Sequence, residues 1–143
     1  MAIDNDSLTE VLQLAQTCED VARATLTVAQ NQLRTKLIAQ DAFDQVFQDY
    51  GVAMQKARDM YYQASHGLVQ QILSSTDLKV LVIQTAELKA ALVNLKEAEH
   101  VLSISVGVVT LIASVATAVI TPSSDTLKGA VSAATTLKQT ITG

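Results

Sequence analysis

The chain has 143 residues, with 10 Lys and Arg against 14 Asp and Glu, which gives a formal net charge of −4. This length fits one domain that buries a core. Since no excess of basic residues is available to meet phosphate groups, we expect no nucleic-acid binding. Hydrophobic residues make up 49% of the chain, but it has only one Pro, three Tyr and two Phe. This composition favours closely packed helices over a β-sandwich.

The first predicted helix begins at a capping-box spacing, in which Ser7 and Glu10 each satisfy a free backbone amide. It continues over about 7–40, where the chain has no Gly and no Pro. Its apolar positions recur at helical spacing and are mostly small, so a neighbouring helix can approach closely. Cys18 lies among these positions, and we interpret it as a small buried hydrophobic residue.

The second predicted helix covers about 42–73, with Asp41 as a candidate cap at its start. All five aromatic residues of the chain fall between positions 43 and 62. Four of them recur at helical spacing, which is more typical of a core than of a binding groove. The predicted aromatic core consists of Phe43, Phe47, Tyr50 and Tyr61.

The third predicted helix covers about 77–120, after a reversal in the run of turn-forming residues at 74–77. Leucines recur along it at intervals of seven, which predicts coiled-coil-like packing. Unbroken, it would be about 65 Å long at a rise of roughly 1.5 Å per residue. Pro122 ends it, and a short fourth helix follows over about 125–141. The predicted packing seam consists of Leu81, Leu88, Leu92 and Leu95.

The fold class is therefore predicted to be all-α. We expect a single helical domain over 1–143, an antiparallel bundle of three long helices plus a short C-terminal helix.

The segment 101–120 carries the strongest signal, because no charged residue occurs from 101 to 124. As a helix it would span about 30 Å, the hydrocarbon thickness of a bilayer. Three interpretations remain open: a core helix, a surface buried by self-association, and a segment that enters a membrane. The predicted interface or membrane-inserting residues are Val101, Leu102, Val106, Gly107, Val109, Thr110, Ala113, Ser114, Ala116, Ala118 and Ile120.

Long amphipathic helices with one uncharged apolar segment resemble the general plan of the α-helical pore-forming toxins. The resemblance concerns architecture alone, and no residue is transferred from that family. It implies conditional insertion of the apolar segment into a membrane, with pore formation as the activity.

Candidate residues for chemistry are few. His66 and His100 lie on different predicted helices, without the partners that a catalytic group or a metal site needs. We therefore expect no enzymatic activity, no cofactor and no metal. Glu99 occupies an apolar heptad position, so we hypothesise that it marks the boundary between a solvated half-helix and a buried or insertable half.

The predicted function is that of a non-catalytic structural or interaction protein that self-associates by burying 101–120. Its expected partners are copies of itself or another helical protein, with a membrane as the alternative. The first residues are acidic and polar, unlike a secretory signal, so a cytoplasmic location is the default expectation. A membrane-associated or exported form is the alternative location.

Overall fold

The computed structural model describes residues 5–67, 73–95 and 100–142, and every element within them is an α-helix. The helices are α1 (Asn5–Arg34), α2 (Gln40–Ser65), α3 (Ser75–Val93), α4 (Val101–Ile120) and α5 (Ser124–Thr142). Around the bundle the order is α1, α2, α4, α5 and α3, and α1 also contacts α4 across the middle. The predicted all-α fold is confirmed, but the described residues form five helices rather than four.

The predicted helix 77–120 is wrong as a single element, because it divides into α3 and α4. Asn94 caps the C-terminus of α3, and His100 has a non-helical backbone at the start of α4. A continuous helix of about 65 Å would carry its second half past the end of the bundle. The break instead lets α4 pack against α2 and α5. Glu99, proposed above as a boundary residue, lies outside the described residues.

Two of the predicted helix boundaries, before α3 and before α5, are confirmed. Ser74 caps α3 by accepting a hydrogen bond from the Asp77 amide. After Pro122, Ser123 Oγ accepts from the Thr126 amide at 3.0 Å, and Thr126 Oγ1 accepts from the Ser123 amide at 2.9 Å. The resulting α5, at 19 residues, is as long as α3 rather than short.

The predicted cap residues of the first two helices lie inside those helices. Helix α1 already includes Asn5, so Ser7 lies inside it. Its predicted partner Glu10 instead accepts a hydrogen bond from Ser75 at 2.8 Å, across to α3. The residue that precedes α2 is Ala39, which offers no side-chain cap, and Asp41 lies within the first turn.

The core is built from aliphatic residues and methionine rather than from aromatic rings. Leu14, Met60, Leu111 and Ile112 are among its largest fully buried side chains. The predicted aromatic group lies at its margin: Phe47 is 55% exposed, and Phe43, Tyr50 and Tyr61 are half-buried. In the predicted leucine seam, Leu81, Leu88 and Leu92 are buried on α3 and Leu95 is half-buried.

Ion pairs show how the helices run relative to one another. Lys79 lies 3.7 Å from Glu10, and Lys89 lies 3.1 Å from Asp20 further along the same two helices. Helices α1 and α3 are therefore parallel, which differs from a purely antiparallel bundle. The lysine of each pair is exposed, so each pair contributes at most about 1 kcal/mol to stability. They fix the alignment of the helices more than they stabilise the fold.

Candidate interaction surface

The inner side of α4 belongs to the core of the subunit. It packs against α1, α2 and α5. Three residues of the predicted interface, Val101, Ala116 and Ala118, are buried there and are already occupied by intramolecular packing. The buried residues of α4 are Val101, Ile104, Ser105, Val108, Leu111, Ile112, Val115, Ala116, Ala118 and Val119.

The outer side of α4 is apolar and faces solvent. Leu102 is 42% exposed and Val106 is 57% exposed. The rest of the predicted interface lies on or beside this face: Thr110 is exposed, and Gly107, Val109, Ala113, Ser114 and Ile120 are half-buried. An exposed apolar face without a single charge is typical of a surface that another molecule covers.

A groove of about 410 Å³ runs between α4 and α5. Its side chains are small, none of them is charged, and we call it the α4–α5 groove. It is lined by Ser103, Val106, Gly107, Thr110 and Ser114 of α4, and by Gly129, Ser132, Ala133, Thr136, Leu137 and Thr140 of α5. A second recess of about 220 Å³ shares Ser114 and Gly129 with it and adds Ala113, Thr117 and Thr126. The small side chains thus form an extended concave surface.

The floor of the groove is a close approach between Gly107 and Leu137. A Cβ atom at Gly107 would lie 2.9 Å from Leu137 Cδ1, closer than real Cβ contacts. Gly107 therefore lets the buried Leu137 side chain fit tightly against the backbone of α4. The two helices are held together here without polar contacts.

Some of the threonine hydroxyl groups along this surface are satisfied by their own helix. Thr110 Oγ1 donates to the Val106 carbonyl at 3.0 Å, and Thr117 Oγ1 donates to the Ala113 carbonyl at 2.9 Å. On α5, Thr140 Oγ1 donates to the Thr136 carbonyl in the same way. Such back-bonded hydroxyls lose little when they leave water. These three threonines are thus less polar than their side chains alone suggest.

One polar contact ties α4 to another helix. Ser105 Oγ donates to Asp49 Oδ2 of α2 at 2.7 Å, and Ser105 is buried. Among the described residues, no other side chain of α4 hydrogen-bonds outside its own helix. Apart from this bond, the contacts of α4 with other described helices are apolar packing.

By length and composition, α4 is the one helix of the described chain that could cross a membrane. Half of its most apolar window is buried inside the subunit. Core helices of soluble proteins meet the same criterion, so this property is compatible with a core helix and with a membrane-inserting helix at 101–120.

The candidate residues for chemistry are far apart. His66 stacks on Tyr62 with ring centroids 4.0 Å apart, at the end of α2, and His100 precedes α4. In the described part of the chain, no three His, Cys, Asp or Glu residues lie close enough to hold a metal ion. Cys18 is fully buried, and desolvation, with the neighbouring charge of Glu19, raises the pKa of its thiol to about 12. This thiol is a packing residue.

Compared with protein-family models, curated proteins and solved structures, the chain matches none. Function is therefore inferred from the surface itself.

Sequence reasoning found the α4 side of the groove and missed the α5 side. Ser132, Ala133 and Thr136 line it, but in the sequence they read as the polar and small positions of an ordinary amphipathic helix. The missed signal is the near absence of charge, since only Asp125, Lys128 and Lys138 are charged in α5. Asp49, whose carboxylate holds Ser105, has no sequence signature that indicates its contact.

Proposed function

We propose that this protein is a non-catalytic helical interaction protein that associates with copies of itself through the α4–α5 groove and the outer face of α4. The observation that carries the proposal is the uncharged apolar surface centred on Val106, which is exposed on the isolated subunit. The cores of protein interfaces are depleted of charge and packed as tightly as protein interiors. The described residues of this surface are already depleted of charge.

The energetics favour covering this surface. Removing the exposed parts of Leu102 and Val106 from water is expected to contribute roughly 1 kcal/mol each, which is about half of the roughly 1.5–3 kcal/mol for fully burying such a side chain. The threonine hydroxyls beside them already bond within their own helix, so their burial costs little. Small side chains in the groove also allow the backbone of a partner helix to approach closely.

The proposal is tested by sedimentation velocity over a wide range of protein concentrations, in the absence of detergent. We expect the wild-type chain to self-associate and Val106→Glu to remain monomeric, because it places a charge in the groove. Val52→Glu is the matched control, since it makes the same change at an exposed valine of α2 that lines neither recess. A wild-type chain that stays monomeric at every concentration would refute the proposal, as would assembly by Val106→Glu equal to that of wild type.

The second candidate function is conditional membrane insertion of α4. It is favoured by the 20 uncharged residues of this helix, whose length of about 30 Å matches the hydrocarbon core of a bilayer. Insertion would require α4 to leave α1, α2 and α5. The only interhelical side-chain hydrogen bond that it would break among the described residues is Ser105 to Asp49. Membrane insertion and self-association therefore make different demands on the contact between α4 and α2.

A disulfide between α2 and α4 separates the two functions. The double variant Asp49→Cys/Ser105→Cys places Sγ atoms at the positions of Asp49 Cγ and Ser105 Oγ, on two side chains that are in direct contact through the 2.7 Å hydrogen bond. If insertion is the function, the wild type should release dye from liposomes, the oxidised variant should not, and reduction should restore release. If self-association is the function, the oxidised variant should assemble like the wild type and neither should release dye. The buried Cys18 thiol should not interfere.

A further inference from the structure

A second unpartnered apolar face lies on α3. This helix packs on α1 and α5 through its buried side, which includes Leu78, Leu81 and Leu88. On the opposite side, Val80, Ile83 and Val93 are 40%, 58% and 64% exposed, with the exposed Ala86 and Ala90 between them. We call Val80, Ile83, Ala86, Ala90 and Val93 the α3 ridge. A helix that is apolar on two opposite sides is normally buried on both.

The α3 ridge and the α4–α5 groove are complementary in shape. The ridge carries three β-branched side chains that project from one helix, and the groove is lined mainly by Gly, Ala, Ser and Thr. The ridge extends over about 20 Å, and the α4 side of the groove, from Ser103 to Ser114, extends over about 17 Å, at roughly 1.5 Å per residue. A helix ridge that fits a helix groove is the usual form of helix packing.

The charges near the ridge do not oppose docking. Glu87 lies 4.0 Å from Lys138 and Lys79 lies 3.7 Å from Glu10, so both have partners within their own chain. Among the described residues, none that lines the groove is charged. An apolar ridge can therefore enter it without leaving a charge unpaired.

We propose that the α3 ridge of one copy docks in the α4–α5 groove of the next. The α3 ridge is exposed on its own subunit, so it does not fill that subunit's own groove. The contact is head-to-tail, and each added copy offers a free ridge at one end and a free groove at the other. This inference rests on the proposed self-association and specifies which surfaces take part.

The contact is small. A helix that lies in a groove over about 20 Å buries on the order of 900 Å² in total, from a helix diameter of about 10–12 Å. Interfaces of this size belong to weak, reversible complexes. We therefore expect assembly to rise steadily with concentration and to give a series of species rather than one dimer.

The inference is tested by blocking one surface at a time. Ile83→Glu blocks the ridge and Val106→Glu blocks the groove, and each variant alone should be monomeric by sedimentation velocity. An equimolar mixture should form a heterodimer and nothing larger, because it contains one intact ridge and one intact groove. Both substitutions lie at exposed positions, so the circular dichroism melts of the two variants should match that of the wild type. Ile83→Gln is a second ridge variant that introduces no charge. Val52→Glu is again the control and should assemble like the wild type.

Other outcomes separate this inference from the proposed function. If Ile83→Glu assembles like the wild type while Val106→Glu is monomeric, the groove pairs with itself, so self-association stands and the ridge contact is wrong. A mixture of the two variants that remains monomeric also overturns the ridge contact. A wild-type chain that never associates overturns both.

Discussion

The same substitution at two glycines should change stability in opposite directions. Gly51 lies within α2, and a Cβ atom there meets nothing within 4 Å. Gly51→Ala should therefore raise the free energy of unfolding by about 1 kcal/mol, the usual difference between Gly and Ala inside a helix. Gly107→Ala gains the same amount, but its Cβ would lie 2.9 Å from Leu137 Cδ1. Because Leu137 is buried, we expect an overpacking cost of about 1–3 kcal/mol and a net loss of roughly 0–2 kcal/mol.

Urea denaturation followed by circular dichroism measures both effects. The two variants should differ by about 1–3 kcal/mol, which is the overpacking cost itself. Gly129→Ala is a further control, because its Cβ also meets nothing within 4 Å although it lies in the groove. If Gly107→Ala stabilises the protein as much as Gly51→Ala, then α4 and α5 do not approach each other as closely as described.

Three further predictions concern the core, the polar contact and the thiol. Leu111→Ala should destabilise the protein by about 2–5 kcal/mol because Leu111 is fully buried, whereas Leu102→Ala should cost under about 1 kcal/mol; similar losses in denaturation experiments would contradict this. Ser105→Ala should cost about 1–3 kcal/mol by removing the donor to the Asp49 carboxylate, and an unchanged denaturation midpoint would count against that bond. Cys18 should resist a thiol-specific reagent at pH 8 until the protein unfolds, because burial raises its pKa to about 12. Since the thiol ionises at lower pH in the unfolded chain, the free energy of unfolding should fall as pH rises from about 9 towards 12. Rapid labelling of Cys18 in the native protein would refute this account.

Much of the fold was predictable from local signals. Ser74 and Asp77 predict the start of α3, and Pro122 with its neighbours predicts the turn before α5, because caps and turns depend on residues close in sequence. Helical periodicity likewise identifies Leu81 and Leu88 as buried. These features need no knowledge of the tertiary structure.

The predictions that failed share one cause, which is that more than one face of a helix is apolar enough to be buried. The heptad series continues from Leu88 through Leu95 to Leu102 and suggests one helix, yet Leu102 is exposed on a separate helix. The sequence between them has no Pro or Gly, so we attribute the break to the packing of α4 against α2 and α5 rather than to a local helix breaker. Phe47 fits the predicted aromatic stripe, but the face buried in α2 is centred on Val46 and Ala53 instead. Periodicity alone does not determine which of two neighbouring faces is buried.

The candidate surface was predictable only where one helix supplies it. The missing charge in 101–120 indicates a special helix, but burial divides that helix into an inner side and an outer side. The α5 wall of the groove depends on the antiparallel turn after Pro122 and on the approach of Leu137 to Gly107. Contacts between separate helices of this kind have no marker in a single sequence.

The order of the helices around the bundle has a consequence for biosynthesis. The apolar side of α1 is covered only once α3 and α4 pack against it, and that of α2 only once α4 does. During synthesis on the ribosome, the α1–α2 hairpin therefore emerges with its inner surface still open to solvent. Because these long-range contacts form only after the α4 segment has left the exit tunnel, folding is expected to be a late, concerted event. A nascent chain stopped before α4 should accordingly be a good client for chaperones that bind exposed apolar helices.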